Sequence, residues 1–248
     1  MTPNKATLSN GLRVLHVPVD DSQMVYVNLL YGVGARNEDY EHTGLAHLLE
    51  HLMFEGTKAV PSFDEPLENA GGENNAYTNN DVTNYYISLP KQNAELAFWM
   101  ESDRMCNITF EKSKVDVQRQ VVMEEFKQTT LNKPYGDVSM ILRAMAFKKH
   151  PYRWSTIGRK LSHISDVPVS VIRSFYKRHY APDNAVLAVV GVTQSYIIKV
   201  SGISTASVLE HQLVSNARSR LVTNLHHHQH EDNHSASASD PGCLSHTR

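Results

Sequence analysis

The spacing of apolar and polar residues changes several times along this chain, and each change predicts an element. Thr7 to Val19 reads as two short strands on either side of Asn10-Gly11, a dipeptide suited to the backbone of a tight hairpin. Gln23 to Tyr31 alternates and is rich in Val, Tyr and Leu, which predicts a strand. A helical period follows from about Glu41 to Phe54, with Leu45, Leu48, Leu49 and Leu52 on one arc. A short helix after Pro61-Ser62 stops at Gly71-Gly72, and Asn75 to Leu89 reads as paired strands turning at Asn79-Asn80-Asp81. Further helices are predicted at about Asn93–Asp103, Glu111–Thr129, Tyr135–Phe147 and Val169–His179, before the wholly apolar strand Ala185–Val190. Strands at both ends with helices between predict an α+β fold, a mixed, mostly antiparallel sheet with helices packed on one side.

After Val192 the pattern fades. Residues 194–248 hold one aromatic, Tyr196, against ten serines and seven of the fourteen histidines. The expected organisation is a domain over residues 1–193, a weakly helical continuation over 194–225, and a disordered low-complexity tail over 226–248, because His226-His-His-Gln-His230 and Ser235-Ala-Ser-Ala-Ser239 cannot build a packed core. The abrupt loss of aromatics raises the expectation of a frameshift or truncation near residue 193. The tail histidines have no fixed geometry and no nearby acid, so adventitious metal affinity is their reading.

Charge narrows the choice of partner. The formal net charge is −2 and no basic run occurs, which argues against nucleic acid. No apolar run approaches the ~20 residues that span a bilayer. Met1-Thr-Pro-Asn-Lys5 leads into a strand without the apolar region of a signal peptide, so a cytoplasmic location is the default expectation. Cys106 and Cys243 are the only cysteines, and they make neither a C-x-x-C pair nor a disulfide framework.

The helix over Glu41–Phe54 has a second face. At ~100° per residue, His47, Glu50 and His51 fall within an arc of ~100°, opposite the leucines. Two neutral imidazoles one turn apart can share a divalent metal, and the carboxylate between them can take a proton from water that the metal activates. The order His-x-x-Glu-His is a zinc-peptidase signature, the inverse of the commoner His-Glu-x-x-His. The bland alternative is a solvated polar face that happens to hold two histidines.

A zinc site of this kind needs a third protein ligand. Val115 to Gln128 offers Glu124 and Glu125. On a helical wheel Glu125 lies inside the apolar arc of Val115, Val117, Val121, Val122 and Phe126, whereas Glu124 borders the polar face of Asp116, Gln120 and Lys127. A carboxylate aimed inward needs a cation or strong donors, so Glu125 is the favoured third ligand and Glu124 the alternative. Gln118 lies on the same side, where it could hydrogen-bond a ligand.

With these residues in place, His47-Leu-Leu-Glu50-His51-Leu-Met-Phe-Glu-Gly-Thr57 resembles the active-site helix of the pitrilysin/insulysin zinc metallopeptidases, a family that includes the mitochondrial processing peptidase β subunit. Gly32-Val-Gly-Ala-Arg-Asn-Glu38, Asn75-Ala76-Tyr77-Thr78, Thr83-Asn-Tyr-Tyr-Ile87, Gln118-Arg-Gln-Val-Val-Met-Glu-Glu125, Pro134-Tyr-Gly136, His150-Pro-Tyr152 and Tyr180-Ala-Pro-Asp-Asn-Ala185 match it in order. The resemblance covers roughly residues 5 to 192 and corresponds to the family's N-terminal half. It implies one zinc ion per chain on His47, His51 and Glu125, Glu50 as general base, and a peptide substrate pairing with the strand at Asn75, Ala76 and Tyr77. It also implies a second homologous half or subunit as partner. Where the family usually has a second Glu, seven residues before the distal ligand, this chain has Gln118. The competing readings are a non-catalytic scaffold subunit of the same fold and a purely structural zinc domain. The latter would favour four protein ligands and has no use for the spare acid Glu50.

Overall fold

The molecule, described by a computed structural model over residues 2–191, is built on a six-stranded sheet. The expectations for residues 194–225 and 226–248, and for a domain edge at 193, lie outside the described residues. The strands are β1 (Asn4–Thr7), β2 (Arg13–Val17), β3 (Met24–Tyr31), β4 (Glu73–Thr78), β5 (Thr83–Pro90) and β6 (Ala185–Val190). They lie in the order β1-β2-β6-β3-β5-β4, so the last strand inserts between the second and third. β2 and β6 run parallel and the other neighbours antiparallel. This is the mixed, mostly antiparallel sheet of an α+β fold.

The alternation along β3 explains why the helices gather on one side. Val25, Val27, Leu29 and Tyr31 are buried, and their register partners Leu89, Ile87 and Tyr85 on β5 and Val189, Leu187 and Ala185 on β6 are buried with them. The other face keeps Tyr26 and Tyr86 exposed. Against the buried face pack α1 (Leu45–Leu52), α2 (Asp64–Asn69), α3 (Ala94–Asn107), α4 (Lys112–Phe126), α6 (Ser162–Ser165) and α7 (Val169–His179), whereas α5 (Val138–Ala146) buries no residue and packs on the short turn at Pro151–Arg153. Leu45, Leu48, Leu49 and Leu52 of α1 are all in this core. So is a cation: the Arg104 guanidinium lies 4.9, 4.2 and 4.8 Å from the ring centres of Phe54, Phe63 and Tyr85, with Glu101 at 3.4 Å.

Several boundaries differ from the sequence reading for local reasons. α1 starts at Leu45 rather than near Glu41, because Gly44 sits at φ 89°, outside helical space. α4 gives way at Lys127 to a wider π-helical turn through Leu131. α5 starts at Val138, after Tyr135 has turned the chain at φ 59°. Period alone does not register such turns. The helix Val169–His179 and the strand Ala185–Val190 begin and end where the pattern predicts.

Candidate metal centre

The N-terminus of α1 is fastened by a residue that lies outside it. Helix starts usually take a side-chain cap from Ser, Thr, Asp or Asn. Here that position is Gly44, and a Cβ there would come within 2.5 Å of Ile164 Cδ1. The cap comes instead from Glu38, whose two carboxylate oxygens accept from Gly44 N at 2.8 Å and Ala46 N at 2.9 Å. Glu38 is buried, and that burial pushes its carboxyl up to about 8 despite the amide hydrogen bonds. Thr43 is pinned from the other side by His163 Nδ1 at 2.9 Å and by Arg159 N at 2.9 Å. The loop and helix start are therefore fixed by protein contacts alone.

From this helix His47 and His51 project toward α4, where Glu125 meets them. Glu125 Oε2 is 3.5 Å from His47 Nε2 and 3.6 Å from His51 Nε2, and one ligand atom from each of the three residues lies within 4.8 Å of the others. In tetrahedral zinc with arms of about 2.0–2.1 Å, neighbouring donors are about 3.4 Å apart, so these two separations are close to that edge. Burial drives the His47 imidazole down to about 4, so it is neutral near pH 7 and offers a lone pair. His51 feels burial too, but the hydrogen bond and charge of Glu125, with Glu50 and Gln118, outweigh it and raise its pKa. The His51 hydrogen bond first, and then the His47 and His51 rings, hold Glu125 below its usual range against its burial. A divalent cation would replace the shared proton of this cluster, and the donor set of two imidazoles and a carboxylate suits zinc.

Glu50 stands beside these donors without joining them. Its Oε2 accepts a hydrogen bond from the Thr78 hydroxyl, which comes from β4. Gln118 Oε1 lies 3.2 Å from His51 Nδ1, so the amide orients that ring from behind. Glu124 points elsewhere, with Lys127 Nζ at 2.6 Å and more than half of its side chain exposed. Glu125 does not sit inside a broad apolar arc as the sequence predicts. α4 buries only Val115, Val122 and Phe126, while Val117 and Val121 are exposed, so the apolar arc is narrower than the sequence suggests. The Glu125 side chain is 40 % exposed and faces a cleft rather than the core.

That cleft, about 430 Å³ in volume, is lined by His47, Glu50 and Glu125, by Ala76, Tyr77 and Thr78 of β4, and by several residues beyond α4, among them Thr130, Met140 and Ile157. β4 is an edge strand, so one side of its backbone has no strand partner among the described residues. Ala76 N–H is held by the Asn75 side-chain oxygen at 2.8 Å. Asn75 itself is not among the residues lining the cleft. The hairpin tip beyond β4 is fixed by Tyr152, which donates to Asp81 at 2.6 Å, and by Arg36, which pairs with Asp81 at 2.9 Å. Sequence reasoning missed Glu38, Thr78 and Glu55, whose carboxylate accepts from Gln118 Nε2. The period-2 rule could have found Thr78, since it falls on the same strand face as Ala76. Nothing local marks Glu38 as the cap of a helix that starts seven residues later.

Among the described residues no helix is long and apolar enough to cross a membrane. Comparison with known proteins identifies related molecules. Residues 13–160 match the family described as Insulinase (Peptidase family M16). The zinc protease PqqE of Helicobacter pylori is 35% identical over 192 residues, which cover 76% of this chain and 43% of that protein. The crystal structure of a protease from Helicobacter pylori superimposes with a TM-score of 0.79 at 31% identity, over 84% of this chain and 50% of that one. The periplasmic protease PqqL from Escherichia coli gives 0.72 at 30% identity, over 81% of this chain and 23% of the other. The chain thus spans half or less of the length of these relatives.

Proposed function

Because this chain belongs to the insulinase peptidase family, M16, we propose that it is the metal-bearing half of a zinc endopeptidase, with His47, His51 and Glu125 as ligands to one zinc ion and Glu50 as general base. The observation that carries this reading is the spare acid. Three donor atoms gather within 4.8 Å, and a fourth titratable group on the same helix is held just outside them, facing the cleft. A site that only stabilised structure would have no use for Glu50. Zinc supplies Lewis acidity, polarising a carbonyl and making water nucleophilic near neutral pH.

The chain's own residues do the rest. Glu50 accepts the proton of the attacking water on a carboxylate oxygen and returns it to the leaving amine nitrogen. Thr78 keeps that carboxylate turned toward the cleft. The open edge of β4 at Ala76 and Tyr77 pairs with the backbone of an extended peptide, which gives affinity with little demand on sequence. In that pairing the Asn75 oxygen gives up the Ala76 N–H to a substrate carbonyl. Unstructured polypeptide is the substrate class this edge accepts, since a folded strand would not offer its backbone.

The lengths of the relatives support a second half or subunit as partner, closing the cleft opposite β4. The test is to mix the zinc-loaded chain with a separately produced second half and follow cleavage of unstructured peptides by mass spectrometry, with Glu50→Gln as control. Cleavage that needs both zinc and Glu50 is expected. Zinc uptake without cleavage in any pairing would point instead to a non-catalytic subunit of the same fold.

A further inference from the structure

His51 turns its Nε2 toward Glu125 and His47, so it can ligate a metal there only if its proton sits on Nδ1. The acceptor for that proton is Gln118 Oε1, 3.2 Å away. A glutamine amide is ambiguous in this position. Its oxygen and its NH₂ have nearly the same shape, and turning the amide end for end would present a donor to Nδ1. The ring would then carry its proton on Nε2, where it cannot bind a metal. Something must choose between the two orientations.

Glu55 makes the choice. Its Oε1 accepts from Gln118 Nε2. An ionised carboxylate accepts and never donates, so the NH₂ must face Glu55 and the oxygen must face His51. Glu55 is itself held in place from two directions. Its N–H bonds back to Leu52 O at 3.2 Å in the turn that ends α1, and its backbone carbonyl accepts from Lys114 Nζ at 2.6 Å. Gln118 lies two turns before Glu125 on α4, so the helix that offers the carboxylate to the metal site also carries the amide. We propose that Glu55 is a positioning residue for the metal site: through Gln118 it fixes the His51 tautomer and supplies, one residue further out, the negative charge that the neutral amide lacks. Hydrogen-bonded files of this kind polarise along their length, and carboxylates behind ligating histidines raise their basicity. This rests on the zinc reading above.

The experiment measures zinc(II) affinity of the full chain by competition with a chromophoric chelator at pH 7. Glu55→Gln, which can offer either end of its own amide, is expected to weaken zinc by about 10- to 100-fold. Gln118→Glu alone sets two carboxylates against each other and should also weaken it. The exchanged pair, Glu55→Gln with Gln118→Glu, puts the charge directly on Nδ1–H and should return affinity to within about threefold of the parent. A second measurement needs no metal. In a Glu125→Ala background, where no carboxylate shares the Nε2 proton, long-range proton–nitrogen spectra at a pH where the ring is neutral should show His51 Nδ1 as the protonated nitrogen, and adding Glu55→Gln should shift the ring toward the other tautomer. A role confined to stability would move neither the tautomer nor the rescue by exchange. Equal zinc affinity in parent and Glu55→Gln, or an exchanged pair as weak as the single variants, would overturn the proposal. If the parent binds no zinc, the zinc reading fails by itself, and an unchanged His51 tautomer on adding Glu55→Gln would still overturn this one.

Discussion

Burial raises the Glu50 carboxyl above its usual range, and the Thr78 hydroxyl and the His51 ring pull it back. The balance matters because a base must be ionised to work. Thr78→Val removes the hydrogen bond, so the acid limb of the kcat/KM profile should move to higher pH, and Thr78→Ser should restore it. An unmoved limb in Thr78→Val would remove Thr78 from the account. Replacing the acid itself is a sharper change. Glu50→Gln keeps the shape of the cleft and all three proposed ligands, so zinc should stay bound while single-turnover hydrolysis falls by about 10²–10⁴-fold. At this scale the sequence was informative where spacing alone sets geometry. Residues 47, 50 and 51 share an arc by helical period, and Gln118 and Glu125 share a side for the same reason. It was silent where a partner comes from a distant element, as Thr78 does for Glu50 and Glu55 does for Gln118.

Among the elements, α1 depends on a cap that it does not contain. Glu38 binds its proton more tightly in the folded chain, at about 8, than an ordinary glutamate does when unfolded, near 4.5. Between these values the unfolded chain has lost the proton and the folded chain has kept it. This contribution to stability is therefore fully present below about 4.5 and is lost as pH rises through about 8. Glu38→Gln should flatten the parent's stability curve across that window, by up to about 1.4 kcal/mol per pH unit, in denaturant titrations at several pH values. Equal slopes in parent and variant would show that Glu38 is ionised throughout. The same region shows why element boundaries were harder to read than elements. The leucine period of α1 is plain in the sequence, but the start at Leu45 is set by the left-handed backbone of Gly44 and its contact with Ile164, a residue more than a hundred positions away. The π-helical turn after Phe126 likewise has no signature in apolar spacing.

For the whole molecule, the sheet was legible because both of its ends are strands and its buried strand, β6, is wholly apolar. The insertion of β6 between β2 and β3 was not, since strand order is decided by packing rather than by local period. The proposed metal site joins two elements that are otherwise held by packing, α1 and α4. A ligand that binds only the folded chain stabilises it by mass action, about 4 kcal/mol when free zinc is a thousandfold above its Kd. Chelation should therefore lower the melting temperature of the parent and leave that of His47→Ala unchanged, as read by calorimetry. The most direct measurement of the central claim is zinc content after equilibrium dialysis for the parent, Glu125→Ala and Glu124→Ala. The account predicts about one zinc per chain in the parent, loss of it in Glu125→Ala, and near-full occupancy in Glu124→Ala, whose carboxylate faces Lys127 and solvent. Zinc retained without Glu125 and lost without Glu124 would contradict it.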